Sequence, residues 1–215
     1  MKKKIVIYGA GGQGRVIADI ILNDSKIKLV GFVDHNLKLK NKKIFGYPIF
    51  GNSKILPSLF KKGVKYCFIA IGDNKIRTEI AKKVEALGFK LYTTIHPRAI
   101  IAKNAIIGRG TAVMAGAVVN PNAIIGDNVI INTNAVVEHD NVIEDGVHIA
   151  SGVLLAGYVK VNKLTFIGMG ARIKEYIIIG ANSIIGMGSV VLNNIPDSVL
   201  VVGVPAKIRK HYKKT

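Results

Sequence analysis

Between Ala99 and Asn194 the chain reads in consecutive blocks of six residues without an insertion, and that period excludes most folds open to it. The blocks run AIIAKN, AIIGRG, TAVMAG, AVVNPN, AIIGDN, VIINTN and onward to SIIGMG and SVVLNN, and the third place is always Ile, Val or Leu, from Ile101 and Ile107 to Ile185 and Val191. A six-residue period suits neither a helix nor an array of hairpins. It predicts a β-solenoid in which each block is a short strand plus a turn, with the aliphatic residue facing a continuous core. The first place is mostly small (Ala99, Ala105, Thr111, Ala117, Ala123), while Gly and Asn crowd the fourth to sixth places, where turns often require φ > 0. Three blocks would close one triangular coil, so residues eighteen apart should stack at about 4.8 Å, the spacing of neighbouring strands.

The solenoid takes the C-terminal half of the 215 residues and leaves an N-terminal domain of under a hundred. The boundary is expected at His96-Pro97, giving domains 1–95 and 96–215, because a residue before proline is pushed out of helical geometry and the six-residue register begins two positions later. A single cysteine, Cys67, excludes disulfides within one chain and Cys-based zinc sites. Apolar runs such as YCFIAIG are far too short for a membrane span, and glycines interrupt the N-terminus too early for a signal peptide. These features point to a cytoplasmic protein with no membrane span.

The net charge is +18, from 31 Lys and Arg against 13 Asp and Glu. Nucleic-acid binding predicts basic residues gathered on one element among aromatics, but the lysines are scattered and the solenoid offers no aromatic platform, so no nucleic-acid partner is expected. A basic surface would still steer phosphorylated small molecules toward the protein, and many of these lysines fit an ordinary solvated face.

The chain opens with a short aliphatic strand, Lys4 to Tyr8, that runs into Gly9-Ala10-Gly11-Gly12-Gln13-Gly14 and then an apolar-periodic helix, Val16 to Leu22. Such a G-x-G-x-x-G between strand and helix lets backbone approach a phosphate at the helix N-terminus. A second strand, Lys28 to Val33, ends at Asp34, twenty residues past Gly14, where an acid can accept from a ribose hydroxyl. A dinucleotide fold needs two mononucleotide halves. Here only a strand from Tyr66 to Ile71 ending in Gly72, a helix from about Lys75 to Leu87 and a strand near Lys90 to Thr94 remain, half a Rossmann fold, which suits one nucleotide.

Within the solenoid one region departs from Gly, Asn, Lys and Asp corners: Asn132, Glu138, His139, Asp140 and His148. A histidine beside a carboxylate can serve as a general base whose ring the acid orients, although such a pair is also an ordinary polar corner. Gly157 lies eighteen residues after His139, so its N–H would sit one coil away, aimed at charge developing on an acyl oxygen; it also fits as a plain turn glycine. After Asn194 the register stops at Ile195-Pro196, where proline is expected to break strand pairing and cap the open end.

The hexads, the terminal Val-Gly-Val-Pro-Ala-Lys, the Gly-Ala-Gly-Gly-Gln-Gly unit and the spacing of Asn132, Glu138-His139-Asp140, His148 and Gly157 together resemble the sialic acid O-acetyltransferase type of sugar acetyltransferase. The resemblance is closest to the branch that N-acetylates nucleotide-linked 4-amino sugars in bacillosamine or perosamine synthesis, and it covers essentially the whole chain. It implies an α/β half-Rossmann domain followed by a left-handed parallel β-helix, assembled as a homotrimer with acetyl-CoA between neighbouring solenoids, and no metal. By this resemblance His139 is the general base, Asp140 orients it where the family usually has Glu, and Asn132 positions the histidine or the sugar. His148 and the Gly157 amide meet the thioester, and Met169 and Met187 line the coenzyme. Gly11, Gly12, Gln13, Asp34 and Gly72 match the nucleotide contacts, with His35 where a second acid often stands.

A sialic acid-type O-acetyltransferase shares every motif, and a non-catalytic nucleotide-sugar-binding scaffold would keep the binding residues without turnover. A metal-dependent hydratase resembling the gamma-class carbonic anhydrases needs three converging histidines, more than the two in the solenoid. Sugar nucleotidyltransferases carry such solenoids after a much larger catalytic domain.

Overall fold

The computed structural model describes residues 2–212, and its contacts divide the chain into Met1–Thr94 and Ile95–Thr215. In the first unit β1 (Lys3–Tyr8) leads through the glycine turn into α1 (Gly12–Leu22) and β2 (Ile27–Val33). A small hairpin, β3 (Lys43–Ile44) and β4 (Tyr47–Pro48), precedes α2 (Leu56–Lys61), β5 (Tyr66–Ile69), α3 (Asn74–Ala86) and β6 (Lys90–Leu91). The four long-range strands form one parallel sheet in the order β2-β1-β5-β6. Its strands are aliphatic nearly throughout, and Ile5, Val6, Ile7, Cys67 and Phe68 are almost wholly buried, as in a sheet covered on both faces.

Three boundaries differ from the sequence reading by two residues or more: β5 ends at Ile69, two residues short of the expected Ile71. Helix α1 starts at Gly12, four residues early, because Gly11 acts as its N-cap and the Arg15 N–H already reaches the Gly11 carbonyl at 3.2 Å. The expected strand from Lys90 to Thr94 is two: Lys90–Leu91 closes the N-terminal sheet, and Thr94–Ile95 belongs to a solenoid sheet.

In the second unit, two-residue strands recur every six residues from Ile100–Ile101 to Val190–Val191, always at the second and third places of a block. They sort into three parallel ladders whose partners are eighteen residues apart, such as Val118 with Val136 and Leu154, or Ile130 with His148 and Phe166. The chain therefore visits a first face (Val136–Val137), a second (Val142–Ile143) and a third (His148–Ile149) in each coil. Third-place residues point inward, and so do first-place ones: Ala117, Val137, Val153 and Ile167 are all fully buried. Polar residues at the first place enter the ladder, as where Thr111 Oγ1 donates to the Gly126 carbonyl at 2.8 Å and accepts from the Val129 N–H at 3.0 Å.

The turns concentrate their left-handed backbone at the sixth place alone, from Gly110, Gly116 and Asn122 to Asn182 and Gly188, rather than across the last three places. At the C-terminal end pairing does not stop at Pro196. Ile195 bridges Ile179, Leu200 and Val201 extend the third face beside Ile184 and Ile185, and only then does Lys207–His211 fold back antiparallel over the edge. The offset shortens from eighteen to sixteen residues there, so the last coil tightens instead of breaking off.

Candidate active site

The N-terminal site is built by the ends of β1, β2 and β5. Gly9 has φ +114°, and a Cβ there would fall 2.4 Å from the Ala70 carbonyl oxygen; a Cβ on Gly14 would fall 2.1 Å from the Gly9 oxygen. Those two glycines let the turn close against the sheet. Gly11 and Gly12 have open space where a side chain would be, so the backbone at the start of α1 faces a cavity of about 530 Å³. The first turn of α1 carries no acidic residue and no side-chain cap, which leaves N–H donors and the positive end of the helix dipole for an anion.

All five expected nucleotide residues, Gly11, Gly12, Gln13, Asp34 and Gly72, line this cavity, together with Tyr8. Gln13 Nε2 is buried with no hydrogen-bond partner among the described residues, a donor for which a bound molecule would supply the acceptor. Asp34 has a structural duty besides any ribose contact: Oδ2 accepts from the Ala10 N–H at 2.7 Å and Oδ1 from the Asn36 N–H at 2.8 Å, tying the glycine turn to the end of β2.

The far wall depends on a residue the motifs did not single out. Arg77 on α3 is buried, and its guanidinium donates to the Ile71 and Gly72 carbonyls at 3.0 and 3.1 Å and to Asn74 Oδ1 at 2.8 Å. Burial pulls it down to about 10, still charged at neutral pH. Its place on an otherwise amphipathic helix reads as surface charge in sequence. Only the tertiary fold turns it inward.

The solenoid separates the remaining site residues onto two corners. At the corner between the first and second faces, His139 Nδ1 lies 2.7 Å from Asp140 Oδ2, with the histidine side chain 51% exposed and the acid 28%. An ionised carboxylate only accepts, so Nδ1 carries the proton and Nε2 keeps a free lone pair. The bond to His139, and after it one from Asn122 Nδ2 at 3.0 Å, hold the Asp140 carboxyl below the usual carboxylate range. Gly157 packs directly on this ring: a Cβ there would lie 2.7 and 2.8 Å from His139 Cε1 and Nε2. Its N–H donates to no group among the described residues. Glu138 turns instead to Asn120, at 2.9 Å.

At the corner between the third and first faces stand Asn132, Met169 and Met187, the two methionines 59% and 80% exposed. Asn132 Nδ2 lies 3.4 Å from His148 Nε2, so within the chain it meets His148 and not His139. His148 is pressed edge-on against Phe166, ring centres 5.1 Å apart. Among the described residues no group of three His, Cys, Asp or Glu is placed to hold a metal ion, and no helix is long and apolar enough to cross a membrane.

Comparison with known proteins supplies two domain matches, the PglD N-terminal domain over residues 4–84 and the bacterial transferase hexapeptide (six repeats) over residues 104–139. The chain is 32% identical to a GDP-perosamine N-acetyltransferase of Escherichia coli O157:H7 across 92% of its own length and 81% of that protein's. It is 40% identical over 109 residues to a UDP-N-acetylbacillosamine N-acetyltransferase of Bacillus subtilis (strain 168), a stretch that spans half of each chain. In structure it matches PerB from Caulobacter crescentus, solved in complex with CoA and GDP-perosamine, with a TM-score of 0.92, 39% identity and coverage of 96% and 97% of the two chains.

Proposed function

We propose, because the chain belongs to the family of hexapeptide-repeat N-acetyltransferases that act on nucleotide-linked 4-amino sugars, that it transfers acetyl from acetyl-CoA to the 4-amino group of such a sugar. The observation that carries this reading is the His139–Asp140 pair, held at 2.7 Å on a half-exposed corner with Nε2 free. The acceptor nitrogen donates its lone pair to the thioester carbon, the new C–N bond forms, and His139 Nε2 takes the nitrogen's proton. As the C–O⁻ collapses the C–S bond breaks, and the proton passes from His139 to the departing thiolate. Asp140 stabilises the imidazolium between these two transfers, and the Gly157 N–H, which donates to no group among the described residues, is a donor suited to the oxyanion.

In this reading the 530 Å³ cavity takes the nucleotide diphosphate, with the α1 N-terminus on the phosphates and the Gln13 amide on an oxygen of the ligand. His148 with Asn132, and the exposed Met169 and Met187, serve the coenzyme. A homotrimer would unite this second corner with a neighbour's first. The cytoplasm, where acetyl-CoA and nucleotide sugars are made, is the proposed compartment.

His139→Ala is expected to lower kcat by roughly 10²-fold or more, the worth of a general base, with little change in acetyl-CoA affinity. Steady-state kinetics with calorimetry checks both; an unchanged kcat removes His139 from the mechanism.

A further inference from the structure

Asp140 occupies the sixth place of its block, and the residues in the same column one coil before and one coil after are Asn122 and Tyr158. Their φ values are +62°, +59° and +59°. Asparagine and aspartate tolerate this left-handed backbone; tyrosine does not favour it. Yet the next residue in the column, Tyr176, repeats the anomaly at φ +61°, and the two rings stack with centres 5.0 Å apart and planes 8° from parallel. Of the sixth-place residues with left-handed backbone, only Tyr158, Leu164 and Tyr176 are neither Gly, Asn nor Asp, and the two tyrosines stack in one column.

The surroundings supply a reason. Tyr158 stands edge-on to the His139 ring, centres 5.3 Å apart at 87°. From the other side Asn122 Nδ2 donates to Asp140 Oδ1 at 3.0 Å. The Asn122 amide is itself oriented, because its Oδ1 accepts from Asn104 Nδ2 in the preceding coil, which leaves the NH₂ facing Asp140. With Oδ1 so engaged, Oδ2 is left for His139 Nδ1.

We infer that Asn122 and Tyr158 are positioning residues that brace the dyad from the coils on either side, Asn122 through its bond to the Asp140 carboxylate and Tyr158 through its ring against the imidazole, and thereby hold His139 in the tautomer with Nε2 free. Tyr158 keeps its unfavourable backbone because the ring, braced by Tyr176, walls one side of the dyad. The inference rests on the general-base reading of His139.

The test compares Tyr158→Gly, Asn122→Gly and Tyr158→Phe with the unaltered protein by steady-state kinetics, thermal unfolding and the ¹⁵N shifts of the His139 ring. Glycine suits φ near +60°, so neither glycine variant should unfold the coil. Both are expected to lower kcat roughly tenfold, as for a mildly misplaced catalytic group, with both KM values within about twofold and Tm held or raised. Tyr158→Phe, which keeps the ring, should stay close to the parent. The ring shifts should report Nδ1–H in the parent and a mixture of tautomers in the glycine variants. Unaltered kcat and shifts in both glycine variants overturn the bracing, as does a loss of kcat accompanied by a matching fall in Tm. Altered shifts in a protein whose His139→Ala form retains full turnover would uphold the bracing and remove the general base.

Discussion

At the scale of single residues, the activity reading depends on how closely the neighbouring coil supports one imidazole. Gly157 has ordinary backbone geometry, so alanine fits its φ and ψ; the obstacle is the His139 ring, 2.7 Å from where the methyl carbon would sit. Gly157→Ala is therefore expected to displace the ring and lower kcat by roughly 10- to 10²-fold, the penalty for an ångström of misplacement. Tm should stay within a few degrees. Kinetics and thermal unfolding measured together check this, and full activity in the alanine variant would show that the ring need not rest on Gly157. The His-Asp doublet and the eighteen-residue relation to Gly157 were legible in the sequence. That the glycine touches the ring was not, because periodicity places a coil neighbour without saying which atoms meet. Asn132 shows the opposite limit: the family resemblance gave it the histidine or the sugar to position, and within one chain the triangular coil puts it on another corner, beside His148.

Among the elements, the hexad strands were readable almost to the residue because a two-residue strand with one inward side chain leaves no freedom of register. The turns were less so. Glycine and asparagine at several places hinted at left-handed backbone, which the structure confines to the sixth place. In the N-terminal unit the sheet strands and the helices α1 and α3 were likewise visible, whereas the β3–β4 hairpin and α2 gave no pattern and the support of the β5–α3 turn was hidden in Arg77. Arg77→Ala would take the guanidinium from the part-buried Ile71 and Gly72 carbonyls and is expected to cost about 1–3 kcal/mol, the range for lost hydrogen bonds to a charged group, and to weaken nucleotide binding. Arg77→Lys should recover part of both losses, since one ammonium cannot reach all three acceptors at once. Denaturant unfolding and calorimetry with the nucleoside diphosphate are the measurements; a variant with parental stability and affinity would reduce Arg77 to a bystander.

For the whole molecule, the two units divide the work. One presents glycine-turn amides, a Gln13 donor with no partner among the described residues and a cavity; the other presents the dyad. A net charge of +18 fits a protein whose two proposed substrates both carry phosphates, and it speeds their capture without specifying either. Neither the charge nor the repeat encodes acceptor chemistry, because amine and hydroxyl acceptors make the same demand on a general base. The deciding measurement is thiol release from acetyl-CoA with UDP-, GDP- and dTDP-linked 4-amino sugars beside their 4-hydroxy counterparts. Turnover is expected with a 4-amino sugar nucleotide, one thiol per acetyl amide formed, and none with the matching hydroxy sugar. Turnover confined to hydroxyl acceptors, or nucleotide-sugar binding with no thiol released from any member of the panel, would contradict it.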